Sequence, residues 1–159
     1  MGQNKMNYVE TIRKKIGHDD LILAGSNIII TDSSHRILLQ KRTNGTWGLL
    51  GGLMEIGESL EETAIREVKE EAHVDIAKLK LLNVFSGPQY YFTLPNRDQI
   101  YVITALFHAQ IISGELLADG IESLALNYFD LENLPENMEE EYKTYIQFYK
   151  NYIKENKSI

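Results

Sequence analysis

Three glutamates, Glu67, Glu70 and Glu71, stand at i, i+3 and i+4 in the run Arg66-Glu67-Val68-Lys69-Glu70-Glu71. On an α-helix that spacing gathers the side chains on one patch of surface. Like charges so placed repel by about 0.2–0.5 kcal/mol per pair. Lys69 projects elsewhere, so a cation from outside the helix is expected to offset the cluster. Arg66 falls four residues after Glu62 and four before Glu70 and can steer a carboxylate, but one guanidinium does not neutralise three. Clustered hard oxygen ligands suit Mg²⁺ or Mn²⁺, which bind through a few carboxylates together with substrate phosphates. Glu67, Glu70 and Glu71 are therefore candidate metal ligands, although a Glu-rich helix face taken alone reads more readily as solvated surface.

The elements that must hold these residues lie in the segment Gly52 to Val74. Ser59 followed by Glu62 is a capping box, in which the hydroxyl and the carboxylate each satisfy a free backbone N–H, so a helix is expected to start there. Leu60, Ala64, Val68 and Ala72, with Ile65 beside them, give that helix one apolar stripe to face a core. Gly51, Gly52 and Gly57 predict a loop ahead of it.

The spacing decides between the two readings of the acidic face. Gly52, five residues, Glu58, seven residues and then Arg66-Glu67-Val68-Lys69-Glu70-Glu71 resembles the signature of the Nudix hydrolases. The resemblance implies an α/β fold, the Nudix α/β/α sandwich with a mixed β-sheet, over nearly the whole chain. It also implies hydrolysis by water of a pyrophosphate bond in a nucleoside diphosphate linked to another moiety, with Mg²⁺ or Mn²⁺ as cofactor. Carried over position by position, Glu67, Glu70 and Glu71 become metal ligands, one of them possible as general base. Gly52 offers a carbonyl to the metal, and Glu58 with Arg66 forms the supporting pair. In the family a loop carboxylate often completes the metal site or serves as base, and Glu122, in a loop just before a strand, resembles that placement. Two positions depart from the pattern. His73 stands where a helix-ending Gly is expected, a left-handed position that His tolerates at a cost of around 1 kcal/mol. Leu50 stands where the family often has Pro.

Composition bounds the rest. At 159 residues and 43 % hydrophobic content the chain fits one domain, residues 1–159, with a proper core. A net charge of −7 disfavours non-specific binding to long nucleic acid, while a small phosphorylated substrate bridged by metal stays compatible. The absence of cysteine excludes disulfides and thiolate nucleophiles. No stretch has the length of a membrane span or the apolar core of a leader, so a cytoplasmic protein with no membrane partner is expected, as monomer or homodimer.

Taken in order, Tyr8, Val9, Ile12 and Ile16 predict a short amphipathic helix ending at Gly17. Leu21 to Thr31 and Arg36 to Arg42 read as a hairpin, and Arg42 sits near the mouth of the acidic loop as a candidate phosphate contact. Trp47 is expected to pack. A strand from Val74 to Ser86 carries Leu79, Leu81 and Val84 as core candidates. Tyr90 to Leu94 and Gln99 to Ile112 form a second hairpin, with Tyr101, Ile103, Ala105, Phe107 and Ala109 on one face. Leu124 to Phe129 is a further strand, and a closing helix runs from about residue 137 to Asn156. In relatives that favour ADP-ribose or dinucleoside polyphosphates a downstream Pro or Tyr marks the substrate. Here Pro88, Tyr90 and Tyr91 fall in that region, which makes Tyr90 and Tyr91 candidate substrate contacts.

Two functions fit these residues. One is a hydrolase of ADP-ribose, a dinucleoside polyphosphate or a nucleoside triphosphate; the other is a nucleotide-binding sensor without turnover, favoured only by the His73 and Leu50 departures. Replacing Glu71 by Gln removes a ligand charge and is expected to lower turnover by several orders of magnitude with folding intact. A Glu71→Gln protein with normal Mg²⁺-dependent turnover would contradict the assignment.

Overall fold

The computed structural model describes residues 6–156. Helix α1 (Tyr8–Ile16) starts at Asn7, whose side chain accepts from the Glu10 amide, and ends at Gly17, where φ is 63°. A helix of this length is marginal in isolation. Arg13 anchors it by donating to the carbonyls of Gly17, Asp19 and Gln99. The chain continues through β1 (Leu21–Ile30), β2 (Ile37–Lys41), β3 (Trp47–Gly48), β4 (Leu50–Leu53), α2 (Leu60–Ala72) and β5 (Asp75–Phe85). A 3-10 turn at Pro88–Tyr90 leads to β6 (Tyr91–Thr93), β7 (Gln99–Ser113), β8 (Ala125–Phe129) and α3 (Glu140–Asn156).

The larger sheet has the order β4-β1-β7-β5, with β6 also pairing β7. Its central pair, β1 and β7, is parallel and the outer pairs are antiparallel, so the sheet is mixed. A second sheet has the order β3-β2-β8. Successive strand residues face opposite sides, and β7 shows both. Ala105, Phe107 and Ala109 pack with Ala64, Val68 and Ala72 of α2, while Leu106 packs with Tyr145, Ile146 and Tyr149 of α3. This is the α/β/α sandwich expected. Among the described residues no helix is long and apolar enough to cross a membrane.

Locally encoded features stand where the sequence places them. Ser59 and Glu62 form the capping box, and His73 ends α2 in the left-handed region with φ 60° and ψ 26°. Long-range pairing corrects four others. Leu21 to Arg42 is not a hairpin ladder, because β1 and β2 belong to different sheets joined there by a single bridge, Thr31 to Ile37. Gly51 and Gly52 are not loop but part of β4, opposite Asn27 and Ser26 of β1. Leu81 and Val84 are 52 % and 48 % exposed, since register shifts between β5 and β7 break the alternation that would have buried them. The last helix starts at Glu140, because the preceding residues are held by Trp47, whose amide donates to the Asn137 carbonyl at 2.8 Å and which bridges Met138.

Gly48 is where this junction tolerates no side chain. A Cβ there would lie 2.7 Å from the Tyr142 ring on α3. Gly48→Ala is expected to destabilise the protein by about 1–3 kcal/mol in chemical denaturation through overpacking. An unchanged midpoint would show that α3 gives way freely.

Candidate functional site

Arg66 is the hub of the acidic helix face. Its Nε donates to Glu58 Oε2 at 2.6 Å and its Nη2 to Glu58 Oε1 at 2.9 Å, a two-pronged ion pair across the turn before α2. Nη2 also reaches the Leu53 carbonyl at 3.0 Å, and Nη1 donates to Glu67 at 2.8 Å and to Glu70 at 3.3 Å. Glu62, the other acid at helical spacing, is taken up by the cap. Glu58 further accepts from the Glu55 amide and the Thr63 hydroxyl. With Arg66 as the largest cause, these donors hold the Glu58 carboxyl down at about 2, and the Glu58 carboxylate in turn raises the proton affinity of Arg66.

Glu71 is held differently. It is 3 % exposed, yet no cation touches it among the described residues. One carboxylate oxygen accepts from the Gly51 amide of β4 at 2.9 Å, the other from Gln40 Nε2 of β2 at 2.6 Å. Burial pushes its carboxyl up to about 8, against the pull of those two donors. Burial likewise raises Glu67 to about 7, opposed by Arg66 and assisted by Glu70 and Glu122. Gly52 makes room for Glu67: a Cβ on Gly52 would collide with the Glu67 carboxylate.

Glu122 arrives from the far end of the chain. Asp119 accepts from the backbone amides of Ile121, Glu122 and Ser123 at 2.8, 3.0 and 2.8 Å, which fixes the turn presenting it. One oxygen each of Glu67, Glu71 and Glu122 lie within 4.8 Å of one another. Three hard oxygen donors, two of them with proton affinity raised by burial, fit a divalent cation such as Mg²⁺ or Mn²⁺. Glu70 lies outside this group, its side chain 58 % exposed on the rim.

The trio stands in the wall of a cleft of about 830 Å³ that also takes in Gly51, Gly52, Gln40 and Arg42. That volume suits a nucleotide-sized ligand. Glu10, Glu55, Glu139 and Glu141 line it as well, and among the described residues Arg42 is the one cationic side chain in its lining. The Arg42 guanidinium lies over the Tyr142 ring, 5.0 Å from its centroid, and donates to the Tyr142 hydroxyl. Glu141 is raised to about 7, by burial first and then by Glu139, with Arg42 opposing. A second hollow of about 620 Å³ shares Glu55, Glu67 and Glu122 with the cleft and is walled by Tyr8 and Thr11 of α1.

Tyr90 and Tyr91 do not line the cleft. Tyr90 is buried against Phe85 and Tyr145 in the α3 core. Tyr91 packs its ring against Tyr101 at a tilt of 38° and donates to Gln99 at 2.5 Å, on the other face of the sheet from α3. Position along the chain suggests both as substrate contacts, and sheet packing takes them away from the site. Sequence reasoning misses Gln40, Glu139 and Glu141. Gln40 looks like any polar strand residue, and the two glutamates look like helix N-terminal acids. The Asp119-Gly120 turn is the one available signal for how Glu122 is held.

Comparisons with known proteins place the chain by family and fold. A family profile described as "NUDIX domain" matches residues 23–151. An ADP-ribose pyrophosphatase of Methanocaldococcus jannaschii is 41 % identical over 112 residues, which cover 67 % of this chain and 61 % of that protein. The NAD-capped RNA hydrolase NudC of Pseudomonas aeruginosa is 29 % identical over 116 residues, covering 71 % of this chain and 38 % of that one. The chain thus spans less than two thirds of the length of either relative. The crystal structure of a MutT NUDIX hydrolase from Burkholderia pseudomallei superposes with a TM-score of 0.68 at 25 % identity, covering 80 % of this chain and 97 % of that one.

The Glu58–Arg66 pair makes a pH-dependent contribution whose sign follows from its direction. Because the folded carboxyl lies below its usual value of 4.5, the stabilisation is fully present above that pH and is lost as pH falls towards about 2. Glu58→Gln is expected to cost about 1–3 kcal/mol at neutral pH and to flatten stability against pH between those limits. Parallel acid-unfolding curves for the two proteins would contradict the pairing.

Proposed function

The chain belongs to the NUDIX hydrolase family, and on that premise we propose that it hydrolyses a pyrophosphate bond in a small nucleotide, a nucleoside diphosphate linked to a second moiety. The observation that carries this reading is the group Glu67, Glu71 and Glu122, set in the wall of a nucleotide-sized cleft. The family uses divalent metals in general. We assign Mg²⁺, with Mn²⁺ as substitute, to these three carboxylates, and from the family pattern add the Gly52 carbonyl and Glu70. When bound, such a cation offsets phosphate charge and makes water a better nucleophile at neutral pH.

The chain's own residues do the rest. Glu58 holds Arg66, and Arg66 in turn fixes Glu67, so this carboxylate keeps one orientation. By the family pattern one of the helix carboxylates Glu67, Glu70 and Glu71 acts as general base towards the attacking water. Arg42 meets a phosphate oxygen. The many acids around the cleft repel a polyanion, so nucleotide binding as well as turnover depends on the cation.

Similarity to an ADP-ribose pyrophosphatase puts ADP-ribose first among the candidate substrates, ahead of dinucleoside polyphosphates and nucleoside triphosphates. The sensor reading loses its footing. His73 closes α2 with left-handed geometry and donor capacity towards the Leu117 carbonyl at 2.6 Å, and Leu50 is fully buried in the α2 core. Each departure from the family pattern has a structural use that does not touch the carboxylates.

The test is phosphate release, through a coupled phosphatase where needed, from ADP-ribose, dinucleoside polyphosphates, nucleotide sugars and nucleoside triphosphates, with Mg²⁺ and with chelator. Turnover of one class that chelator abolishes is expected. Folded protein that binds nucleotide but turns over none would overturn the reading. On the preferred substrate, Arg42→Ala is expected to lower kcat/KM by about 10- to 100-fold, the worth of one charged hydrogen bond.

A further inference from the structure

We propose that Gln40 is a positioning residue for the metal site: its neutral amide fixes where the Glu71 carboxylate stands and thereby sets how tightly the site holds a divalent cation. The proposal rests on the assignment of Glu71 as a metal ligand made above. Gln40 lies on β2 of the small sheet and Glu71 on α2, which packs against the large sheet, so their contact joins the two halves of the fold. Both are buried, at 1 % and 3 % exposure. Gln40 Nε2 donates to Glu71 Oε2 at 2.6 Å and to the Leu49 carbonyl at 3.2 Å, which uses both amide hydrogens. The orientation of the amide is thereby settled, since turning it over would set Oε1 against two acceptor oxygens.

Among the described residues, the hydrogen bonds to Glu71 come from this amide and from the Gly51 N–H, one to each oxygen. Glu67 shows the contrast, with Arg66 on its carboxylate at 2.8 Å drawing off part of its charge. Two neutral donors orient Glu71 while leaving its negative charge for an incoming cation. Other side chains at position 40 would fail for separate reasons. A lysine or arginine would neutralise Glu71, and a glutamate would place two buried acids in contact and make them share a proton. An asparagine is one methylene too short to reach.

The experiment uses the full chain, wild type and Gln40→Met, which keeps the length and volume of the side chain without its hydrogen bonds, with Gln40→Asn as a second variant should the first not fold. Mn²⁺ alone is titrated by calorimetry, and the far-ultraviolet circular dichroism and Tm of the metal-free proteins are compared. With metal-free folding retained, the Kd for Mn²⁺ is expected to rise about 10- to 100-fold, the usual effect of losing an outer-shell partner. The Mg²⁺ concentration for half-maximal turnover should rise in proportion. A folded variant with wild-type Mn²⁺ affinity would overturn the role of Gln40 and leave the metal assignment standing. Failure of the wild-type protein to bind Mn²⁺ would overturn the assignment itself.

Discussion

A carboxylate taken out of water needs a partner, and Glu71 at 3 % exposure has only two neutral donors among the described residues. Burying an unpaired charge costs several kcal/mol, and the group responds by holding its proton more tightly. Glu67 and Glu122 crowd the same space, and the divalent cation proposed above would offset the charge that Arg66 leaves there. Much of the surrounding structure serves to keep this unfavourable arrangement in place. Gly51 lends an amide to Glu71, Gly52 gives up its side chain to make room for Glu67, and Asp119 builds the turn that brings Glu122 within reach.

The cost is carried by packing on both sides of the large sheet. On the α2 face, Val68 and Ala72 interlock with Ala105, Phe107 and Ala109, fixing the helix that carries the carboxylates. On the α3 face, Leu106, Tyr145, Ile146 and Tyr149 do the same for the helix that carries Tyr142 and, through it, Arg42. Each fully buried aliphatic or aromatic side chain contributes about 1.5–3 kcal/mol, enough in sum to hold an electrostatically strained site. Arg66 then gives its two nearest acids different roles. Glu58, paired two-pronged and held at about 2, is structural, whereas Glu67 shares the same guanidinium and keeps a proton affinity near neutrality.

What the sequence reveals depends on the range of the interaction concerned. The capping box, the apolar stripe of α2, the left-handed His73 and the clustering of Glu67 with Glu71 are local, and a few neighbouring residues determine them. The β6–β7 hairpin is legible for the same reason. By contrast, Gly51 and Gly52 read as loop because glycine pairs occur in turns, and only the ladder with β1 makes them strand. The separation of β1 from β2, the delayed start of α3 and the burial of Tyr90 follow from contacts between distant segments. Gln40 stays invisible in the sequence because its partner is thirty-one residues away and on another element.

The central claim is the proposal that a divalent cation offsets the charge of Glu67, Glu71 and Glu122. Its most direct test is the denaturant midpoint of the wild-type protein in increasing MgCl₂ against NaCl of matched ionic strength. A cation that binds the folded state alone stabilises it by about 2.7 kcal/mol at one hundred times its Kd. The midpoint is expected to climb with the logarithm of Mg²⁺ concentration, well beyond the effect of NaCl. Superimposable curves in the two salts would contradict a cation site, because screening alone would then relieve the acidic cluster.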